Sequence, residues 1–167
     1  MANLFRLKSL AASQNEIDRV SDASTRIVNV TTSTLIVTQR KHDMKVITLN
    51  RAAGIAVTLP VATGSGTVLK FYVGTTVTSN STTIKVADAT DIMVGNIIAN
   101  STGDTPDLAQ PWPTASDSDT ITLNGTTTGG IAGDFVTLID VAANKWSVQG
   151  VTSCSGTEAT PFSATVA

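Results

Sequence analysis

Aromatic residues make up only 4% of this 167-residue chain and charged residues only 14%. With so few aromatics, any core must be built from aliphatic side chains. With so few charges, the chain is not one of the highly charged sequences that stay unfolded. Cys154 is the sole cysteine, so no intrachain disulfide can form and assembly in a reducing compartment is expected. His42 is the sole histidine, so Ser–His–Asp or Cys–His catalysis would have to run through that one residue. No apolar run approaches the roughly 20 residues of a membrane span. Near the start, Arg6 and Lys8 interrupt the apolar stretch that a signal peptide would need.

What fills the chain instead is threonine, 28 residues of it, with abundant Val, Ala, Ser and Gly. Thr and Val are stiff at χ1 and sit best on a pleated surface, so the composition favours strands and turns. Hydrophobic residues reach 41%, enough for one real core, and the length suits one domain of about 100–200 residues. The formal net charge of −2 conceals an asymmetry. Residues 1–51 carry eight of the eleven Lys and Arg against four acids, while residues 52–167 carry three against nine. The N-terminal part is therefore suited to an acidic partner, through a diffuse signal rather than a basic cluster.

Residues 1–24 read as an N-terminal arm or short amphipathic helix, and 25–167 as a β domain. In the arm, Leu4, Phe5, Leu7, Leu10, Ile17 and Val20 are interleaved with Arg6, Lys8 and Arg19. From Thr25 onward, period-two alternation predicts strand after strand: 26–39, 44–50, 55–60, 67–73, 82–87, 94–99, 120–123, 134–140 and 145–151. Turn chemistry separates them, at Gly54, Gly64-Ser65-Gly66, Asn124-Gly125 and Gly129-Gly130. Short strands at this spacing predict a mostly β fold, an antiparallel β-sandwich or barrel. The stretch 101–118 holds three of the five prolines and no periodicity, and reads as a long loop. Within it Trp112, flanked by Pro111 and Pro113, is either an outer-surface recognition aromatic or an indole tucked against the sheet.

Chemistry is sparse. His42 sits in RKHD and reads as a solvated turn residue, and nothing in the sequence ties it to Cys154. The acids group as Asp88/Asp91, Asp104/Asp107 and Asp117/Asp119, without EF-hand spacing, and Asx turns explain them more simply. The glycine-rich pieces GSG and GTTTGGIAG lack the Lys-Ser/Thr or strand–helix context of a phosphate cradle. No catalytic residue, metal ligand or cofactor is expected, and the chain reads as a binding protein rather than an enzyme.

Two stretches, VTLPVATGSGTVLKFYVGTTVTSNSTTIKVADATDIMVG (57–95) and SDTITLNGTTTGGIAGDFVTLIDVAANKWSVQGVTSCSGTEATPFSA (116–164), resemble small virion proteins of tailed bacteriophages. The specific parts are the TLP-x-ATGSG turn, the D-x-D-T-I-T-L-N-G-T-T-T-G-G stretch, read as a hairpin, and the KWSV strand after a turn. The resemblance implies a head decoration or cement protein that binds the major capsid protein, sits on the virion surface after assembly in the host cytoplasm, and forms a homotrimer. It implies neither nucleic acid nor membrane as a partner. The expected capsid contacts are the arm residues Leu4, Phe5, Arg6, Leu7, Lys8, Leu10, Ile17, Arg19 and Val20. The alternative is a head or tail fibre component, or a receptor- or carbohydrate-binding β module that would use Trp112 for stacking.

Overall fold

The computed structural model describes residues 26–102 and 109–166. The arm residues proposed as capsid contacts lie outside these described residues. Twelve strands and one short helix follow in order: β1 (Ile27–Val30), β2 (Thr34–Ile36), α1 (Gln39–His42), β3 (Lys45–Leu49), β4 (Ala56–Thr58), β5 (Val68–Val73) and β6 (Thr82–Lys85). The second half adds β7 (Ile92–Ser101), β8 (Ala109–Pro113), β9 (Thr120–Leu123), β10 (Phe135–Ala142), β11 (Lys145–Cys154) and β12 (Phe162–Ser163). They form a seven-stranded sheet, β1-β3-β5-β10-β11-β7-β8, and a five-stranded sheet, β12-β9-β6-β4-β2. The mostly β, two-sheet architecture is the one the alternation predicts, and no barrel closes.

The pairing is more particular than an antiparallel sandwich. Odd strands β1, β3 and β5 stack parallel in one sheet, and even strands β2, β4 and β6 stack parallel in the other. The chain therefore crosses between sheets at every turn from Ile27 to Lys85, winding three stacked two-strand rungs in the manner of a β-solenoid. Each crossing is an arch rather than a hairpin. The predicted single strand 26–39 breaks at Thr31–Ser33 into β1 and β2, and the Arg51–Gly54 turn joins strands of opposite sheets. Gly54 there has φ +72, and a Cβ would collide with the Asn80 carbonyl of the rung above. From β7 onward the pattern changes. Hairpins β7–β8 and β10–β11 appear, antiparallel β10 joins β5 to β11, and β11 runs parallel to β7 over ten residues.

Alternation within each strand sends one set of side chains inward. Leu69, Phe71 and Val73 of β5 meet Ile84 of β6, Val57 of β4, Ile121 and Leu123 of β9, and Leu138, Trp146 and Val148 of β10 and β11 in one core. Fully burying such a side chain stabilises by about 1.5–3 kcal/mol before entropy. The stretch predicted as a loop over 101–118 contains β8, whose Pro111 and Pro113 are confined to the outermost strand of its sheet. A proline there can turn its missing donor to the side where no strand follows.

Candidate interaction surfaces

Of the seven described acids in the C-terminal half, four, Asp91, Asp119, Asp134 and Asp140, are buried. Asp140, buried at the end of β10, accepts the amides of Thr63, Gly64 and Ser65 and the Ser65 hydroxyl, which fixes the Gly64-Ser65-Gly66 turn. Burial pushes its carboxyl up. The Ser65 hydroxyl and the three amides outweigh that and hold it below its ordinary value. Buried Asp119 accepts the amides of Thr165 and Val166 and so ties down the C-terminal tail. Burial again acts against ionisation, and these amides with the Thr120 hydroxyl win. Asp134 takes the amides of Gly130, Ile131 and Ser153, yet burial dominates and its carboxyl is raised. Asp91 is raised by burial too. One of its oxygens receives the Ala62 amide and the other, Oδ1, is buried without a partner. Of the acids grouped in the sequence, Asp88 makes the simple Asx turn expected, to Thr90, while Asp104 and Asp107 lie outside the described residues. Among the described residues no three His, Cys, Asp or Glu side chains gather as a metal-binding group.

His42 is buried, not solvated. Its ring closes α1 against Thr38, with Nδ1 at 3.0 Å from both the Thr38 amide and carbonyl, and burial holds its pKa below the ordinary value. Cys154 is also buried, donates to the Thr127 carbonyl at 3.2 Å, and has its thiol pushed up by burial. The two residues sit on different elements, His42 bonded within its own turn and Cys154 to the distant Thr127 backbone. Trp112 on β8 lies opposite Ile97 and packs inward against the core with Nε1 buried, so it is the tucked indole of the two alternatives.

What the outside offers is the outer face of the seven-stranded sheet. Register aligns Asn29, Thr48, Tyr72, Phe135, Val151, Ile98 and Pro111 in a single row crossing all seven strands. Tyr72, Phe135 and Ile98 remain 42%, 48% and 39% exposed. A second row contains Lys70, Thr137, Gln149 and Asn96, and a third contains Val68, Ile139, Ser147 and Val94, the last 45% exposed. Lys70 is the only charged side chain in these three rows. At about 4.8 Å between strands and 6.6 Å between rows, the face measures roughly 30 by 13 Å, on the order of 400 Å². Apolar patches of a few hundred Å² on a soluble protein are often functional, and here the apolar side chains of the first and third rows flank the polar row of Lys70, Thr137, Gln149 and Asn96. No residue of this face stands out by type in the sequence. Only the register, which alternation does not reveal, brings Tyr72 and Phe135 side by side.

The charged residues of the N-terminal half collect elsewhere. Arg40 and Lys41 of α1 precede Lys45 at the start of β3, and Arg26 precedes β1 beside it, with its carbonyl bonded to the Val46 amide. Arg51, at the other end of β3, points back onto the Ala53 and Gly54 carbonyls. Together with Ser33, Asn80 and Ser81 it lines a shallow crevice of about 290 Å³ along the stacked turns. Comparison with protein-family models, with curated proteins and with solved structures returned no match.

Proposed function

We propose that the protein is a structural component of a phage particle that binds the outside of the capsid and stabilises it as a decoration or cement protein, without catalysis. The observation that carries this reading is the charge-poor, partly apolar face running across all seven strands of the larger sheet. It is broad and presents backbone-held rows of side chains rather than a cleft, which suits docking on another protein surface. Its roughly 400 Å² is about half of what one partner contributes to a standard interface of about 800 Å² per side. One such contact is weak alone, so binding needs a second contact, and a shell with many equivalent sites rewards any ligand that spans more than one subunit. A protein that binds only the assembled shell stabilises that state by mass action. The resemblance of residues 57–95 and 116–164 to small virion proteins points the same way.

A receptor- or carbohydrate-binding module, as in a head or tail fibre, is the second reading. The adjacent rings of Tyr72 and Phe135 could stack on a sugar, and the parallel rungs of β1 to β6 are a geometry by which a shaft is extended. Phe135→Asp together with Tyr72→Asp separates the two. Both side chains face outward, so the fold should survive by circular dichroism, and on the decoration reading pull-down by purified capsids should fall at least about tenfold. Undiminished capsid binding, with loss of binding on a glycan array, would move the assignment to the second reading.

A further inference from the structure

Asn124 and Gly125, expected as a hairpin turn, instead open a loop between β9 and β10, which lie in different sheets. Asn followed by Gly is the dipeptide most prone to lose its side-chain amide. The glycine nitrogen attacks the Asn side-chain carbonyl, and no side chain on the glycine obstructs it. Here both partners in that attack are tied down. Gly125 is buried, and its amide donates to the Gly129 carbonyl at 2.7 Å. The Asn124 Oδ1 accepts the Thr126, Thr127 and Thr128 amides at 2.9, 2.8 and 3.1 Å. Its Nδ2 donates to the Thr127 hydroxyl at 2.8 Å. The Gly125 peptide has no room to turn, because the Val77 carbonyl stands where a Cβ would project. The loop is fastened from outside as well. The Ser155 amide donates to the Thr126 carbonyl, and the Ala159 amide and Cys154 thiol both donate to that of Thr127. At its far end the Gly130 and Ile131 amides are held by buried Asp134.

We propose that Asn124 is a deamidation site gated by this loop, unreactive while the loop is closed and converted when it opens. In the open loop, hydroxide takes the proton from the Gly125 amide, and the nitrogen attacks Cγ of Asn124. The new N–C bond closes a succinimide ring. The Cγ–Nδ2 bond breaks, and ammonia leaves after its nitrogen takes a proton from water. Water then adds to either carbonyl of the ring and opens it, giving aspartate or iso-aspartate. The amides on Oδ1 also polarise the Asn124 carbonyl, as oxyanion donors do. Burial of the nucleophile decides the balance. A deprotonated amide is an anion, which a buried site disfavours, and an amide that keeps its proton cannot attack. Aspartate at 124 can take back the same backbone amides. Iso-aspartate inserts a methylene into the backbone and cannot, so that product unlatches the loop irreversibly. The loop thereby records its own past opening. This inference is independent of the capsid reading.

The full chain is incubated at mildly alkaline pH, folded in one sample and in guanidinium chloride in another, while peptide mass spectrometry follows Asn124. The folded sample should convert at least about tenfold more slowly, because a reaction confined to the opened form tracks that form's population. Thr127→Val removes the acceptor of Nδ2, and Cys154→Ala removes one tie on the Thr127 carbonyl. Each should speed conversion in the folded state by roughly two- to fivefold and leave the rate in denaturant unchanged. Circular dichroism identifies the variants that fold, and the parent chain alone carries the test where one does not. Equal parent rates in the two samples would mean that the loop is no gate. Faster conversion in the folded sample would mean that the amides on Oδ1 activate Asn124. Either result overturns the proposal, as does a folded-state rate that two well-folded variants leave unchanged.

Discussion

A small number of aspartates do much of the work of holding turns in place. Asp140 is the clearest case, since one carboxylate gathers three successive amides and a hydroxyl. Hydrogen bonds to a charged group contribute roughly 1.5–3 kcal/mol each, and an orphaned amide costs about as much. Asp140→Ala should therefore lower unfolding free energy by about 2–4 kcal/mol in urea titration, whereas Asp88→Ala, with its partners local and its side chain at the surface, should cost far less. The pH dependence follows from the directions of the shifts. Asp140 and Asp119 have folded pKa values below the ordinary 3.8, so the stability they confer is present above that value and is lost as pH falls through the folded one. Asp134 and Asp91 are raised, so each favours the folded state most when protonated and loses that part as pH climbs from 3.8 through its folded value. Urea midpoints of Asp140→Asn should thus show a shallower loss on acidification than the parent. Trp112 gives a second residue-level test. Because it packs against the core, Trp112→Ala should cost about 3–5 kcal/mol, an effect that an exposed stacking residue would not produce.

At the scale of elements, the strands were legible and their neighbours were not. Alternation such as Leu69-Lys70-Phe71-Tyr72-Val73 reports which side faces the core, and β9 falls at the predicted 120–123. A period of two says nothing about which strand lies alongside, however, and short polar turns serve arches between sheets as readily as hairpins within one. That is why an antiparallel order was the natural expectation and stacked parallel rungs were found. β8 escaped because Pro111 and Pro113 argue against a strand everywhere except at an edge, and β12 because two residues carry no period. His42 was misplaced for a related reason. RKH reads as a polar turn, but α1 rolls its last residue inward while Arg40 and Lys41 stay outside. The edge role of β8 is testable: Pro111→Val with Pro113→Val supplies two backbone donors to that edge strand and should raise aggregation by light scattering with little change in melting temperature. Glycines at crossings are equally specific. Gly125, at φ +84, lies so close to the Val77 carbonyl that Gly125→Ala should destabilise by more than about 1 kcal/mol.

The described residues combine a two-sheet body with a broad outer face bearing Tyr72 and Phe135. Little of that face could be read from the sequence, because it arises from register rather than from residue type. The sequence pointed instead to the arm, whose nine proposed contacts lie outside the described residues, and to Trp112, which packs inward. The proposed reading docks the face on a capsid. Its central claim is a stoichiometric structural role on a particle. The most direct test is quantitative mass spectrometry of purified virions that carry this gene, measuring the chain relative to the major capsid protein before and after a wash that removes loosely held proteins. The account expects a copy number of the same order as the capsid protein, retained in the wash and reduced by Phe135→Asp with Tyr72→Asp. A chain absent from the particles, or present only at the few copies of a fibre, would contradict it.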